Sequence, residues 1–110
     1  MVATGNGRYD IVMPPHWLAE VSAVLCRLSP RTAVGDVETL LLLEWPVVGD
    51  PAIYRRAAGL SLRLRHHLFD TLYHAVALER GATLVTADRA YWRKAAGQGR
   101  ITLLEDFSAG

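Results

Sequence analysis

The chain predicts an α/β fold with a mostly parallel sheet, and three observations carry that expectation. Ala82-Thr83-Leu84-Val85-Thr86 is a short run with a continuous apolar interior, the pattern of a strand covered on both faces. Longer stretches between such runs repeat apolar residues at three- and four-residue spacing, the period of a helix. Proline and glycine separate the two kinds of segment. Strands that alternate with helices build a parallel sheet with helices packed against it.

In chain order, Tyr9-Asp10-Ile11-Val12-Met13 reads as a strand ended by Pro14-Pro15. Pro15 suits a first helical turn, where its missing N–H is not needed. The helix it opens runs to about Leu28, with Trp17, Val21, Val24, Leu25 and Leu28 on one apolar face. Glu20 lies on the same side as Trp17 and Val24. Ser29-Pro30 breaks the chain. A second helix is expected over residues 32–44, stopped by Trp45-Pro46. Residues 46–50 fit a short edge strand, where proline is tolerated.

Pro51 opens a third helix, to about Arg65, with Gly59 weakening its middle. His66-His67 marks a break. The next helix covers residues 69–80 and buries Leu72, Tyr73 and Val76; Gly81 ends it. After the strand at 82–86, Asp88 begins a helix to about Ala96, closed by Gly97 and Gly99. Ile101-Thr102-Leu103-Leu104 is the last strand. The whole chain, residues 1–110, reads as a single domain, with 1–8 expected to be flexible and 105–110 a tail.

Composition narrows the functional classes. The 110 residues are 51% apolar, enough for a core without staples. The single cysteine, Cys26, cannot form an internal disulfide, and its apolar neighbours predict a buried small hydrophobe. A reducing, cytoplasmic compartment is therefore expected. No stretch approaches the roughly 20 apolar residues that span a bilayer. Net charge is +1, but unevenly spread. Residues 1–50 carry three basic and six acidic side chains, and residues 51–110 carry nine and five. Arg55, Arg56, Arg63 and Arg65, with His66 and His67 beside them, form a cluster that can contact phosphates or simply a solvated helix face.

Three acids carry the sharpest chemistry: Glu20, Asp70 and Asp88. Carboxylates brought together from distant parts of a chain repel unless a proton or cation separates them. In a parallel sheet, ligands bind beyond the carboxyl ends of the strands, where Asp88 follows residues 82–86 and Glu20 follows residues 9–13. Each acid also has a plain structural reading. Asp88 is placed to cap a helix. Asp70 is placed to meet a helix dipole, and Glu20 to pair with an arginine. His66, His67 and His74 show no structural zinc spacing and are expected at the surface or hydrogen-bonded. A phosphate-cradling glycine loop and a nucleophile elbow are both missing.

The wording around these acids resembles a known family. Phe69-Asp70-Thr71-Leu72-Tyr73-His74-Ala75-Val76-Ala77, then Gly81, then Leu84-Val85-Thr86-Ala87-Asp88, is similar to the C-terminal half of PIN-domain ribonucleases of the VapC toxin type. Tyr91-Trp92-Arg93-Lys94 and Ile101-Thr102-Leu103-Leu104 resemble that family's closing helix and strand. Ile11-Val12-Met13-Pro14 with Trp17-Leu18-Ala19-Glu20-Val21 resembles its second strand and the helix bearing its Glu. The resemblance spans residues 9–107. It implies a three-layer PIN-like fold and a Mg²⁺- or Mn²⁺-dependent hydrolysis of RNA phosphodiesters. It implies that Asp70 and Asp88 hold the metal with Glu20, that Glu20 positions or deprotonates water, and that Thr86 supports Asp88. Arg89, Arg93, Lys94 and the Arg55–Arg65 cluster would contact RNA. A VapB-type antitoxin and a second copy of the chain are the implied partners.

The sequence departs from the family at its start. PIN domains usually begin with a strand ending in an Asp that ligates metal, and Asp10 precedes its apolar run instead of following one. The chain therefore reads as N-terminally truncated. A rearranged sheet or self-association is expected, with weak or absent nuclease activity. The alternative function is a catalytically inactive PIN remnant that binds antitoxin or itself. A receiver-like regulatory domain is a third reading, disfavoured because its acidic pair after the first strand is missing.

Overall fold

The structure is a computed structural model that describes residues 1–5 and 9–107. Its elements are β1 (Val2–Gly5), β2 (Tyr9–Val12), α1 (Trp17–Leu28), α2 (Ala33–Leu43), α3 (Pro51–Leu64), α4 (Leu68–Arg80), β3 (Thr83–Thr86), α5 (Arg89–Ala95) and β4 (Ile101–Leu103). Single 3-10 turns follow α5, at Ala96–Gln98, and β4, at Leu104–Asp106. The α/β class is as the sequence predicts.

The sheet order is β2-β1-β3-β4. β1 is antiparallel to both β2 and β3, and β3 is parallel to β4. So β2, β3 and β4 all run in one direction and β1 alone is reversed between them. The sheet is thus mixed, a rearrangement of the parallel pattern. The expectation that residues 1–8 are flexible fails for Val2–Gly5. Val2 and Ala3 are buried at 0% and 3% exposure, because the gap between β2 and β3 needs a strand to satisfy both edges. Residues 6–8 lie outside the described part. The edge strand expected at 46–50 is a single parallel bridge, Met13 to Val47, closed by Met13 N–H to Pro46 O and Val48 N–H to Met13 O, both 2.9 Å.

The core forms where α3 and α4 pack on each other and α4 packs on β1 and β3. Ile53, Ala57 and Leu60 of α3 meet Leu72, Ala75 and Val76 of α4, with Val2, Leu84, Tyr91 and Ala95 closing the cluster. Small residues let α4 approach α3: the Thr71 hydroxyl donates to Ala57 O at 2.9 Å. Gly81 ends α4 at φ +63°, a conformation that suits a residue without Cβ.

Two helix expectations need correction. α1 begins at Trp17, two residues after Pro15, and only Trp17 of its apolar face is buried. Val24 and Leu28 are exposed, and so is Cys26. α1 and α2 pack mainly on each other, so the face that would have covered Cys26 has no core beneath it.

Candidate metal centre

The carboxyl ends of β2, β3 and β4 share one side of the sheet, and the first residue of the reversed β1 lies there too. A cleft of about 290 Å³ opens at that side. Asp70, Tyr73, Thr86, Asp88 and Tyr91 line it, together with Met1 and Met13. Asp70 arrives from the first turn of α4, and Asp88 from the cap position of α5. Both line the same cleft. A third group joins them: ligand atoms of His66, Asp70 and Asp88 all lie within 4.8 Å of one another.

Hydrogen bonds decide which atoms are free. Lys94 Nζ lies 3.3 Å from His66 Nδ1 and can only donate, so Nδ1 accepts and Nε2 carries the proton. His66 Nε2 therefore donates to Asp70 Oδ2, at 2.7 Å. Asp88 Oδ1 accepts the Tyr91 N–H at 3.0 Å, the capping bond of α5. The Asp88 N–H donates to the Thr86 hydroxyl at 3.1 Å, which fixes the turn between β3 and α5. Among the described residues, each aspartate thus has one oxygen engaged and one left for a ligand. The capping role of Asp88 and a ligating role are compatible, since they use different oxygens.

Glu20 stands apart from this trio. Its Oε1 accepts from the Tyr73 hydroxyl at 3.2 Å, and its Oε2 lies 3.5 Å from His16 Nε2. Tyr73 in turn lines the cleft, so Glu20 is one side chain removed from Asp70 and Asp88. Burial raises the Tyr73 hydroxyl above its ordinary range, reinforced by the charge and hydrogen bond of Glu20 and by the charge of Asp70. Tyr73 therefore keeps its proton and holds Glu20. His16 also donates Nε2–H to Phe69 O at 2.8 Å, which leaves its buried Nδ1 without a hydrogen-bond partner among the described residues.

The remaining basic candidates divide. Arg56 pairs with Glu79 at 2.7 Å, Arg63 donates to Gln98 at 3.0 Å, and Arg89 pairs with Glu105. Lys94 is held at His66 and at Arg65 O, 3.4 Å away. Arg55, Arg65 and Arg93 are exposed. Sequence reasoning left His66 among ordinary histidines. His66 precedes the cap of α4 and lies outside that helix, so only the fold brings it to Asp70.

Two carboxylates and an imidazole, gathered beyond the carboxyl ends of co-directed strands, are a candidate group for a divalent cation. The sequence matches the PIN domain family model over residues 3–98, and the chain belongs to the PIN domain family. PIN domains are generally metal-dependent nucleases, so a nuclease-type function follows. Among curated proteins and among solved structures, none matches the chain. No helix among the described residues is long and apolar enough to cross a membrane.

Proposed function

We propose that the chain is a metal-dependent endoribonuclease of the VapC toxin type, cytoplasmic, that hydrolyses RNA phosphodiesters and is held in check by a VapB-type antitoxin. One observation carries this reading: Asp70 and Asp88 meet in one cleft, each with an uncommitted oxygen. Mg²⁺ is commonly held by one or two carboxylates and completes its shell with waters and phosphate. The two carboxylates fit it, and oxygen donors suit Mn²⁺ as well. Such an ion, when bound, polarises a phosphoryl oxygen and acidifies water.

The chain's own residues do the rest. His66 aims the Asp70 carboxylate. Thr86 and the Tyr91 N–H hold Asp88 at its turn. Glu20, held by Tyr73, is assigned to position water or take its proton. A second copy of the chain is the expected further partner.

Calorimetry with Mn²⁺ tests the site. Asp88→Asn keeps a capping oxygen, so α5 stays formed. Wild type should bind Mn²⁺, Asp88→Asn should give no binding heat, and cleavage of single-stranded RNA should vanish with it. His66→Ala should weaken Mn²⁺ by about 10- to 100-fold, the usual effect of removing a group that orients a ligand.

A second reading is favoured by one feature. The reversed β1 brings Met1, not a third carboxylate, to the wall of the cleft. On that reading the chain is an inactive PIN remnant that binds antitoxin or itself. No Mn²⁺ binding in either wild type or Asp88→Asn would select it.

A further inference from the structure

A second cavity, of about 450 Å³, lies where α3 gives way to α4. Ser61, Arg65, His66, His67 and Lys94 line it, with no carboxylate among them. Its floor is built. Arg65 adopts the left-handed conformation at φ +52°, ψ +55°, which is costly for a residue with a Cβ by about 1–2 kcal/mol. Two hydrogen bonds hold that turn: His66 N–H to Ser61 O at 3.1 Å, and Ser61 Oγ to His66 O at 2.5 Å. The turn places Arg65, His66 and His67 around the cavity in succession.

The cationic groups here have donors to spare. Lys94 Nζ uses two of its three hydrogens, on Arg65 O and His66 Nδ1. The Arg65 guanidinium makes no hydrogen bond to the described residues, and the His67 ring stands edge to face with His66 at 5.9 Å. His67 is also the cap position of α4 and gives that helix no side-chain hydrogen bond. Cationic side chains with spare donors, in a lining that holds no carboxylate, point to an anion.

His66 is the wall shared with the metal centre. One ring nitrogen faces Asp70, and the other faces Lys94. A ligand that uses both sites must carry one negative group to the cation held by Asp70 and Asp88 and another to Arg65 and Lys94. A chain of phosphodiesters does so, with consecutive phosphates on either side of one imidazole.

We propose that this cavity is a second phosphate subsite, in which Arg65 and Lys94 hold the backbone of an RNA strand next to the phosphate at the metal centre. This rests on the nuclease reading for the identity of the strand. The subsite itself is read from its own residues.

The test is binding of a labelled single-stranded oligouridylate to the full chain in EDTA, followed by fluorescence anisotropy over a salt series. Arg65→Gln removes a charge that makes no hydrogen bond to the described residues, so the fold has no reason to change. It should weaken binding and lower the slope of log K against log salt by about 1, the mark of one lost phosphate contact. Lys94→Gln should do the same. Arg31→Gln, an equal loss of charge in the α1–α2 connection, should leave the slope unchanged. Equal slopes for wild type and Arg65→Gln would overturn the subsite. So would displacement of the oligouridylate by inorganic phosphate at equal phosphate concentration, which would mean a site for free anions. Mn²⁺ calorimetry on Arg65→Gln separates the two claims. If Mn²⁺ fails to bind wild type while Arg65→Gln still lowers the slope, the nuclease reading falls and the subsite stands. If Mn²⁺ binds both and the slope does not move, the reverse holds.

Discussion

His74 is fully buried in α4 at 0% exposure, yet both of its ring nitrogens are satisfied. Gly99 O lies 2.8 Å from Nε2 and can only accept, so Nε2 carries the proton. Nδ1 then accepts from the Tyr91 hydroxyl at 2.9 Å. This arrangement requires the neutral ring. Burial lowers the His74 pKa below 6.5, with a lesser push from Arg56, against the opposing Gly99 hydrogen bond. The folded state therefore binds this proton more weakly than the unfolded state does. Stability from this group is complete above about pH 6.5 and falls as pH drops below it, with a slope of at most about 1.4 kcal/mol per pH unit. Urea melts across that range should show the decline. His74→Leu should remove this component and lower stability by about 1–3 kcal/mol, because Gly99 O and the Tyr91 hydroxyl lose their partner. At this scale the sequence is readable where the partner is close. Thr86 and Asp88 stand two apart, and their turn could be read directly. The role of His66 depends on Lys94, 28 residues away, so only the fold reveals which of its nitrogens faces Asp70.

Elements are legible in proportion to how much of their stability is local. α4 and β3 emerge with boundaries close to those expected, because a helical apolar face, a terminal glycine and an apolar strand follow one another without interruption. β1 escapes sequence reading for the opposite reason. Four residues with two apolar side chains carry no period, and although all four pair with the nearby β2, the β3 partners that set them inside the sheet, Leu84 and Thr83, are far along the chain. α3 offers a direct test of helix propensity. A Cβ built at Gly59 meets nothing within 4 Å, so no close approach explains a glycine there. Gly59→Ala should raise stability by about 0.5–1 kcal/mol, through lost backbone freedom in the unfolded chain and a better helix former in the folded one. Chemical denaturation measures it, and the Mn²⁺ affinity should stay the same, since Gly59 touches neither cleft. A decrease in stability would mean that α3 bends at this position under load from the core.

Across the whole molecule, stability should be uneven. α3, α4, β1 and β3 share one buried cluster, whereas α1 and α2 contribute only Trp17 and Ala33 to the buried set. Their remaining apolar residues stay open: Leu28 is 69% exposed and Leu42 is 82% exposed. Trp17 stacks on Trp45 at 5.0 Å, and Glu20 reaches Tyr73, so the pair of helices is tied down by few side chains. Segments with few buried contacts open at free energies well below that of global unfolding. Amide hydrogen exchange should therefore find α1 and α2 less protected than α4 by a clear margin. Tyr73→Phe, which removes the hydroxyl held by Glu20, should lower protection in α1 further and leave α4 unchanged. Uniform protection across α1, α2 and α4 would mean that the chain unfolds as one unit, with the two helices bound more firmly than their burial implies. The consequence for chemistry is specific. Asp70, Asp88 and His66 are anchored to the most stable part of the fold, while Glu20 rides on the least anchored helix. The pair of aspartates should thus bind Mn²⁺ with nearly unchanged affinity in Tyr73→Phe, and a loss of RNA cleavage in that variant would report the Tyr73–Glu20 pair rather than the metal centre.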